Sequence, residues 1–174
     1  MPPQKIKTDY EPIDTDPHIT RVVKYFRNSD YLVWAATTAF GPAFYYLLEL
    51  GGRVPTPSLG FGLKLSACVG ATGGFLLAYQ RSSMRFWGWT ENAQEYERDL
   101  KEMRQRIKEG KPLYGVSRMN EYAQKSSSWM SRYAALKFSA FPIFNFVNHN
   151  NHGIDTSRYY KDLDDNDDKE NISG

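Results

Sequence analysis

Two stretches of this chain carry almost no charge, and they limit its folds more than any other feature. Residues 31–48 are eighteen in a row without Asp, Glu, Lys or Arg, and residues 59–80 contain Lys64 as their only charge. About eighteen apolar residues is the shortest helical run that spans a bilayer core of ~30 Å. The mean hydropathy of the chain, −0.60, suggests a soluble protein, but it averages over flanks where charges crowd. Asn28, Ser29 and Asp30 supply N-cap chemistry before the first window. Gly41-Pro42 in its middle would break a soluble helix but only kinks a membrane one. A buried core helix is the soluble alternative. The connector, residues 49–58, holds Gly51-Gly52, Pro55 and Pro57, which is turn chemistry. Lys64 can snorkel from there to the headgroups.

Inside the second window Ser66, Gly70, Gly74 and Ala78 recur every four residues. That spacing lays a ridge of small side chains on one helix face, with Ala67 and Gly73 widening it. Such a ridge lets another backbone approach closely. The five glycines from Gly60 to Gly74 would each cost a soluble helix about 1 kcal/mol, so a packing partner is expected on this face. Arg21, Lys24 and Arg27 precede the first window, Arg81 and Arg85 follow the second, and the connector has only Arg53. The positive-inside bias therefore puts both termini on the cytoplasmic or matrix side. Arg81, Arg85, Trp87 and Trp89 form a candidate lipid headgroup site; simple topology anchoring is the alternative.

The flanks read differently. Residues 1–30 hold five basic and five acidic side chains and no apolar core of their own. They show neither a secretory apolar region nor an Arg-rich, acid-poor presequence, so an organellar import signal would be internal. Thr90 can cap a helix to about Glu109, with Ala93, Tyr96, Leu100, Met103 and Ile107 as its apolar stripe. A second helix is expected over residues 117–138. Residues 141–153, FPIFNFVNHNNHG, read as an extended aromatic segment with too few neighbours to bury it, and so as a surface that lies on another protein. Residues 162–174 carry six acids and one lysine, the composition of a solvated tail. The expected architecture is mainly α: an extended N-terminal segment (1–30), a two-helix transmembrane hairpin (31–80, helices at about 31–48 and 59–80), an extramembrane region of helices and irregular aromatic chain (81–161), and the acidic tail (162–174).

Chemistry is sparse. One cysteine, Cys68, excludes an intrachain disulfide and multi-cysteine metal sites. His149 and His152 could begin a metal site but lack further ligands nearby in sequence, and backbone hydrogen bonding in a loop is the plainer role. No phosphate-binding loop or nucleophile elbow is present. Basic and aromatic residues together can bind nucleic acid, but here they adjoin a membrane segment, so anionic lipid is the better partner.

Several segments resemble one family. They are DTDPH (14–18), RVVKYFRNSDY (21–31), GGFLLAYQRSSMRFWGWTEN (73–92), PLYG (112–115) and FPIFNFVNHNNHG (141–153). The chain resembles the 21 kDa accessory subunit family of fungal mitochondrial complex I, the NADH:ubiquinone oxidoreductase. The resemblance implies a supernumerary, non-catalytic subunit of the membrane arm in the mitochondrial inner membrane, with no cofactor of its own. It implies other membrane-arm subunits and phospholipid, cardiolipin included, as partners. By the charge rule its termini face the matrix. The acidic tail departs from the family pattern. A hairpin assembly factor or translocase-type component is the competing reading, and a lipid enzyme using His149 and His152 a third.

Overall fold

The computed structural model describes residues 6–52, 59–134 and 144–161. The helices are α1 (Ile19–Lys24), α2 (Asn28–Leu50), α3 (Leu59–Phe86), α4 (Ala93–Lys108) and α5 (Glu121–Ser131), followed by a 3-10 turn, Thr156–Tyr159. Most of the connector (53–58), residues 135–143 and the acidic tail lie outside the described residues, as do the end of the expected 117–138 helix and the start of the aromatic segment.

Both uncharged windows are helical and both helices exceed their windows. α2 starts where Asp30, at its third position, accepts the backbone N–H of Arg27 at 2.9 Å, which ties down one orphan donor. It runs through Pro42 unbroken. α3 has 28 residues, about 42 Å at 1.5 Å per residue, and takes in Arg81 and Arg85 as helical residues. Among the described residues α3 is the one helix long and apolar enough to cross a membrane. Of the expected two-helix transmembrane hairpin, both helices are present and α3 qualifies as a span. In α2 the polar tips of Tyr31, Trp34, Tyr45 and Tyr46, together with Gly41-Pro42, dilute the Leu, Val and Phe content.

The two helices are antiparallel partners. Ser66 of α3 lies against Gly41, Gly70 against Thr37 and Thr38, and Gly74 against Trp34. A Cβ on Gly70 would sit 2.7 Å from the Thr37 carbonyl oxygen, and one on Gly74 2.8 Å from that of Trp34. Only glycine allows so close a backbone approach. The Trp34 indole N–H donates across the contact to the Ala71 carbonyl at 2.9 Å. Gly73 points into open space, so it does not widen the ridge. Facing outward are Leu32, Phe40, Leu47 and Leu50 on α2 and Phe61, Leu65 and Val69 on α3.

The core lies at one end of this pair. Ala78, Tyr79, Phe86 and Trp87 pack with Ile13, Val22, Tyr25 and Phe26 from the N-terminal segment and Tyr133 from beyond α5. The first 30 residues, expected to lack a core, enter one built jointly with α3. Their backbone runs along the end of α3: the N–H groups of Ile13 and Asp14 donate to the Phe86 carbonyl at 2.8 and 3.1 Å.

α4 is capped at Asn92 rather than Thr90. Of its expected apolar stripe Met103 is buried, Tyr96, Leu100 and Ile107 are half-buried and Ala93 is exposed, while Glu95 and Asp99 are buried beside them. The neighbouring surface is both: Tyr96 packs against the apolar core, and the carboxylates meet arginines.

Candidate functional site at the base of the hairpin

The polar end of the molecule is built from charges held in pairs, in two adjoining clusters. The first joins the starts and ends of the long helices. Asp30, fully buried at the start of α2, pairs with Arg85 and, at 3.1 Å, with Arg81, both on α3. Arg85 also pairs with Glu95 of α4 at 2.9 Å, and Arg27 holds Glu95 at 2.6 Å and Glu91 at 3.0 Å. Three helices are therefore stitched by alternating charges. Arg85 and Trp87, expected at a headgroup site, are each 4% exposed and face inward. Arg81 keeps half of its side chain exposed, and Trp89 lies on the surface. These four residues do not form one patch.

The second cluster joins the two ends of the chain. Asp14 and Asp16 stand in the DTDPH segment, and the aromatic segment brings His149 and His152 to them. His149 Nε2 is 2.8 Å from Asp16 Oδ2 and His152 Nδ1 is 2.7 Å from Asp14 Oδ1. The partners assign the protons. His149 Nδ1 accepts the Asn151 N–H at 3.1 Å, so its proton sits on Nε2 and points at Asp16. His152 Nε2 faces the His149 carbonyl oxygen at 2.6 Å, so both of its ring nitrogens face oxygens, Asp14 on one side and this carbonyl on the other. Both nitrogens of each ring are engaged in hydrogen bonds. Among the described residues no group of three metal-ligand side chains converges.

Around these pairs the network is dense. The Ser131 hydroxyl donates to Asp16 Oδ2 at 2.6 Å, and Asn145 Nδ2 donates to the Asp16 carbonyl at 3.0 Å. The two imidazoles stack, with Tyr114 on the far side of His152. Arg21 bridges Asp14, at 2.9 Å, and Asp99 of α4, while the Tyr159 hydroxyl donates to Asp99 at 2.7 Å. Full burial pushes the Asp14 carboxyl up, but the His152 charge and hydrogen bond, the Arg21 guanidinium and the Asp16 backbone N–H together hold it below the ordinary carboxylate range. Burial, reinforced by the Asp99 charge, pushes the Tyr159 phenol up to about 12.

The aromatic segment, expected to find too few neighbours, is thus partly enclosed by this same chain: Asn145, His149 and His152 are buried, whereas Phe146 is exposed. Sequence reading missed the pairing because 133 residues separate Asp16 from His149. The one available signal was that two short segments, one rich in Asp and one in His, were both marked by the family resemblance.

A cleft of about 380 Å³ opens beside the second cluster, with Arg21, Lys24 and Arg106 among its walls and Asp14 and Glu102 between them. Lys24 pairs with Glu102 at 3.0 Å while more than half of its side chain stays exposed.

Residues 7–91 match the family model described as NADH-ubiquinone oxidoreductase complex I, 21 kDa subunit. Residues 100–173 match that of the C-terminal part of the NADH-ubiquinone oxidoreductase 21 kDa subunit, a match that takes in most of the acidic tail and so corrects the expectation that the tail departs from the family pattern. The NADH-ubiquinone oxidoreductase 20.9 kDa subunit of Neurospora crassa is 46% identical over 158 residues, covering 90% of this chain and 84% of that relative. The two matched blocks meet in the structure through the Asp14–His152 and Asp16–His149 pairs.

Proposed function

The chain belongs to the 21 kDa subunit family of NADH–ubiquinone oxidoreductase complex I, and on that premise we propose that it is a structural subunit of that respiratory complex. In this reading α2 and α3 sit in the mitochondrial inner membrane as a paired unit. The charged base stays outside, on the matrix side, and joins the hairpin to neighbouring membrane-arm subunits and phospholipid. The observation that carries the proposal is the outer surface of the helix pair. Leu32, Phe40, Leu47, Leu50, Phe61, Leu65 and Val69 all face outward, along helices whose inner faces already satisfy one another. A surface of that kind calls for lipid or partner helices rather than water. Its role is to hold and position: the titratable side chains at the base are engaged with each other, and the chain contributes assembly and stability rather than a reacting group.

A blue-native separation of mildly solubilised mitochondrial membranes, with mass spectrometry of each band, tests this. Near one-to-one abundance with core subunits in the megadalton band is expected. Signal confined to smaller bands would sink the reading in favour of an assembly factor.

A further inference from the structure

Five aromatic rings form an arc around the lower part of the helix pair, drawn from four separate segments. Tyr31 of α2 meets Phe26 at 5.6 Å between centroids, Phe26 meets Phe75 of α3 at 6.3 Å, Phe75 meets Phe144 at 6.2 Å, and Phe144 meets Phe146 at 6.1 Å. Exposure rises toward the ends: Phe26 is 9% exposed, Phe75 and Phe144 are half-buried, and Tyr31 and Phe146 are 48% and 68% exposed. Asn145 is locked from both sides, donating to the Asp16 carbonyl, and accepting the Ile19 N–H on its own carbonyl at 2.8 Å and the Val147 N–H on its side chain at 2.8 Å. In extended chain side chains alternate, so Phe144 and Phe146 share the face opposite Asn145. Phe144 packs on Phe75 and Tyr79, and Phe146 stands beyond it at the end of the arc.

The height of the arc identifies what covers it. Phe75 lies inside the apolar window of α3. Arg81, with its half-exposed guanidinium, is six residues further on, about 9 Å along the axis. The rings thus stand between the apolar outer surface and Arg81, the exposed charge toward the C-terminal end of the same helix. That level is where aromatic side chains concentrate in membrane proteins, between acyl chains and phosphates. We propose that Phe146, with Tyr31 at the opposite end of the arc, is an interfacial anchor that inserts the chain's C-terminal segment into the lipid headgroup–acyl boundary. The occupant is lipid, because the exposed rings stand beside the apolar window of α3, and Arg81, paired with Asp30 yet half-exposed, lies just beyond it. The inference rests on α2 and α3 being set in a membrane.

Site-directed nitroxide labelling separates the two. Cys68 is the sole cysteine and is exposed on α3 within the window, so the label on the full-length native chain reports the hairpin. Phe146→Cys and Glu97→Cys, each in a Cys68→Ser background, report the anchor and the outer face of α4. All are measured in palmitoyl-oleoyl phosphatidylcholine vesicles by relaxation with oxygen against an aqueous nickel chelate. The expected oxygen-to-nickel accessibility ratio is highest at 68, lowest at 97, and at 146 about threefold or more above 97, as for a site in the interface. A high ratio at 68 with 146 equal to 97 overturns the anchor and leaves the hairpin reading intact. Equal, low ratios at 68 and 97 overturn both. Position 146 shielded from both reagents means protein covers it, which also overturns a lipid-facing role.

Discussion

Along α2 and α3 the contact is made of glycines, backbone carbonyls and one indole hydrogen bond, and the outer faces carry Leu, Phe and Val. Below Ala78 the aromatic core is flanked by buried charge pairs: Asp30 with Arg85, Glu95 with Arg27, Asp14 with His152 and Arg21. The upper region gains from close van der Waals approach, which is what remains when lipid is as apolar as the partner helix. The lower region faces water or protein. There, charges removed from solvent hold their place only because each has a partner. The two regions therefore fail in different ways. A helix contact fails by being pushed apart, and a charge cluster fails by losing one member.

The largest effect is expected at Arg85. Arg85→Leu leaves Asp30 and Glu95 short of a buried partner and should destabilise the base by about 3–5 kcal/mol, seen as a lower Tm of the full-length chain in mild detergent. A small change would mean that Arg81 and Arg27 already neutralise those carboxylates. Next is the ridge. Gly70→Leu drives side-chain atoms into the Thr37 and Thr38 backbone and should cost about 1–3 kcal/mol. Gly73→Leu, whose side chain would meet open space, should cost nothing. Equal behaviour of the two variants in a cross-link between α2 and α3 would erase the distinction between ridge and outer face.

A pH titration sharpens the comparison further. The Asp14 carboxyl is held low in the folded state, so its stabilising contribution is complete above the unfolded pKa and drains away as pH falls through the folded one. Acid should loosen the base before it opens the helix pair. Asp14→Asn should flatten the acid limb of a Tm–pH curve, and an unchanged limb would assign acid sensitivity elsewhere. Smallest of all, Lys125→Ala removes an exposed pair with Glu121 on α5 and should leave Tm unchanged within error, as expected for solvent-screened ions. A drop there would show that α5 is held more tightly than its exposed face suggests.

Much of the upper region was legible because its signals are local. Residues 31–48 and 59–80 both became helix, and the four-residue repeat from Ser66 to Ala78 needed nothing beyond helical geometry to define one face. The signal did not name the partner, which in the structure is α2 of the same chain. It also misplaced Gly73, since a position three residues from Gly70 was grouped with the ridge by composition alone. The base was far less legible. On α4 the apolar residues suggested which side turns inward, but Arg21, Lys24 and Arg27 lie opposite. A face carrying Glu95, Asp99 and Glu102 is the one that satisfies them. Arg85 and Trp87 looked like interface residues because they follow an apolar run, and only the fold shows that Asp30 and Glu95 enclose the first and Tyr133 packs on the second.

What the sequence determined by itself is the partition of the chain: where apolar helix can form, which face of α3 admits a backbone, and where charge begins. Those properties depend on neighbours within one or two helical turns. The tertiary structure decided which charges are buried and with whom, that the DTDPH and NHNNH segments interlock, and that Phe146 is turned outward while Asn145 is locked in. Each of these rests on groups tens to more than a hundred residues apart. Ion pairs and hydrogen bonds at such separations leave no periodicity in the chain, because their energy depends on distance in space and on removal from water, and neither exists until the chain has folded.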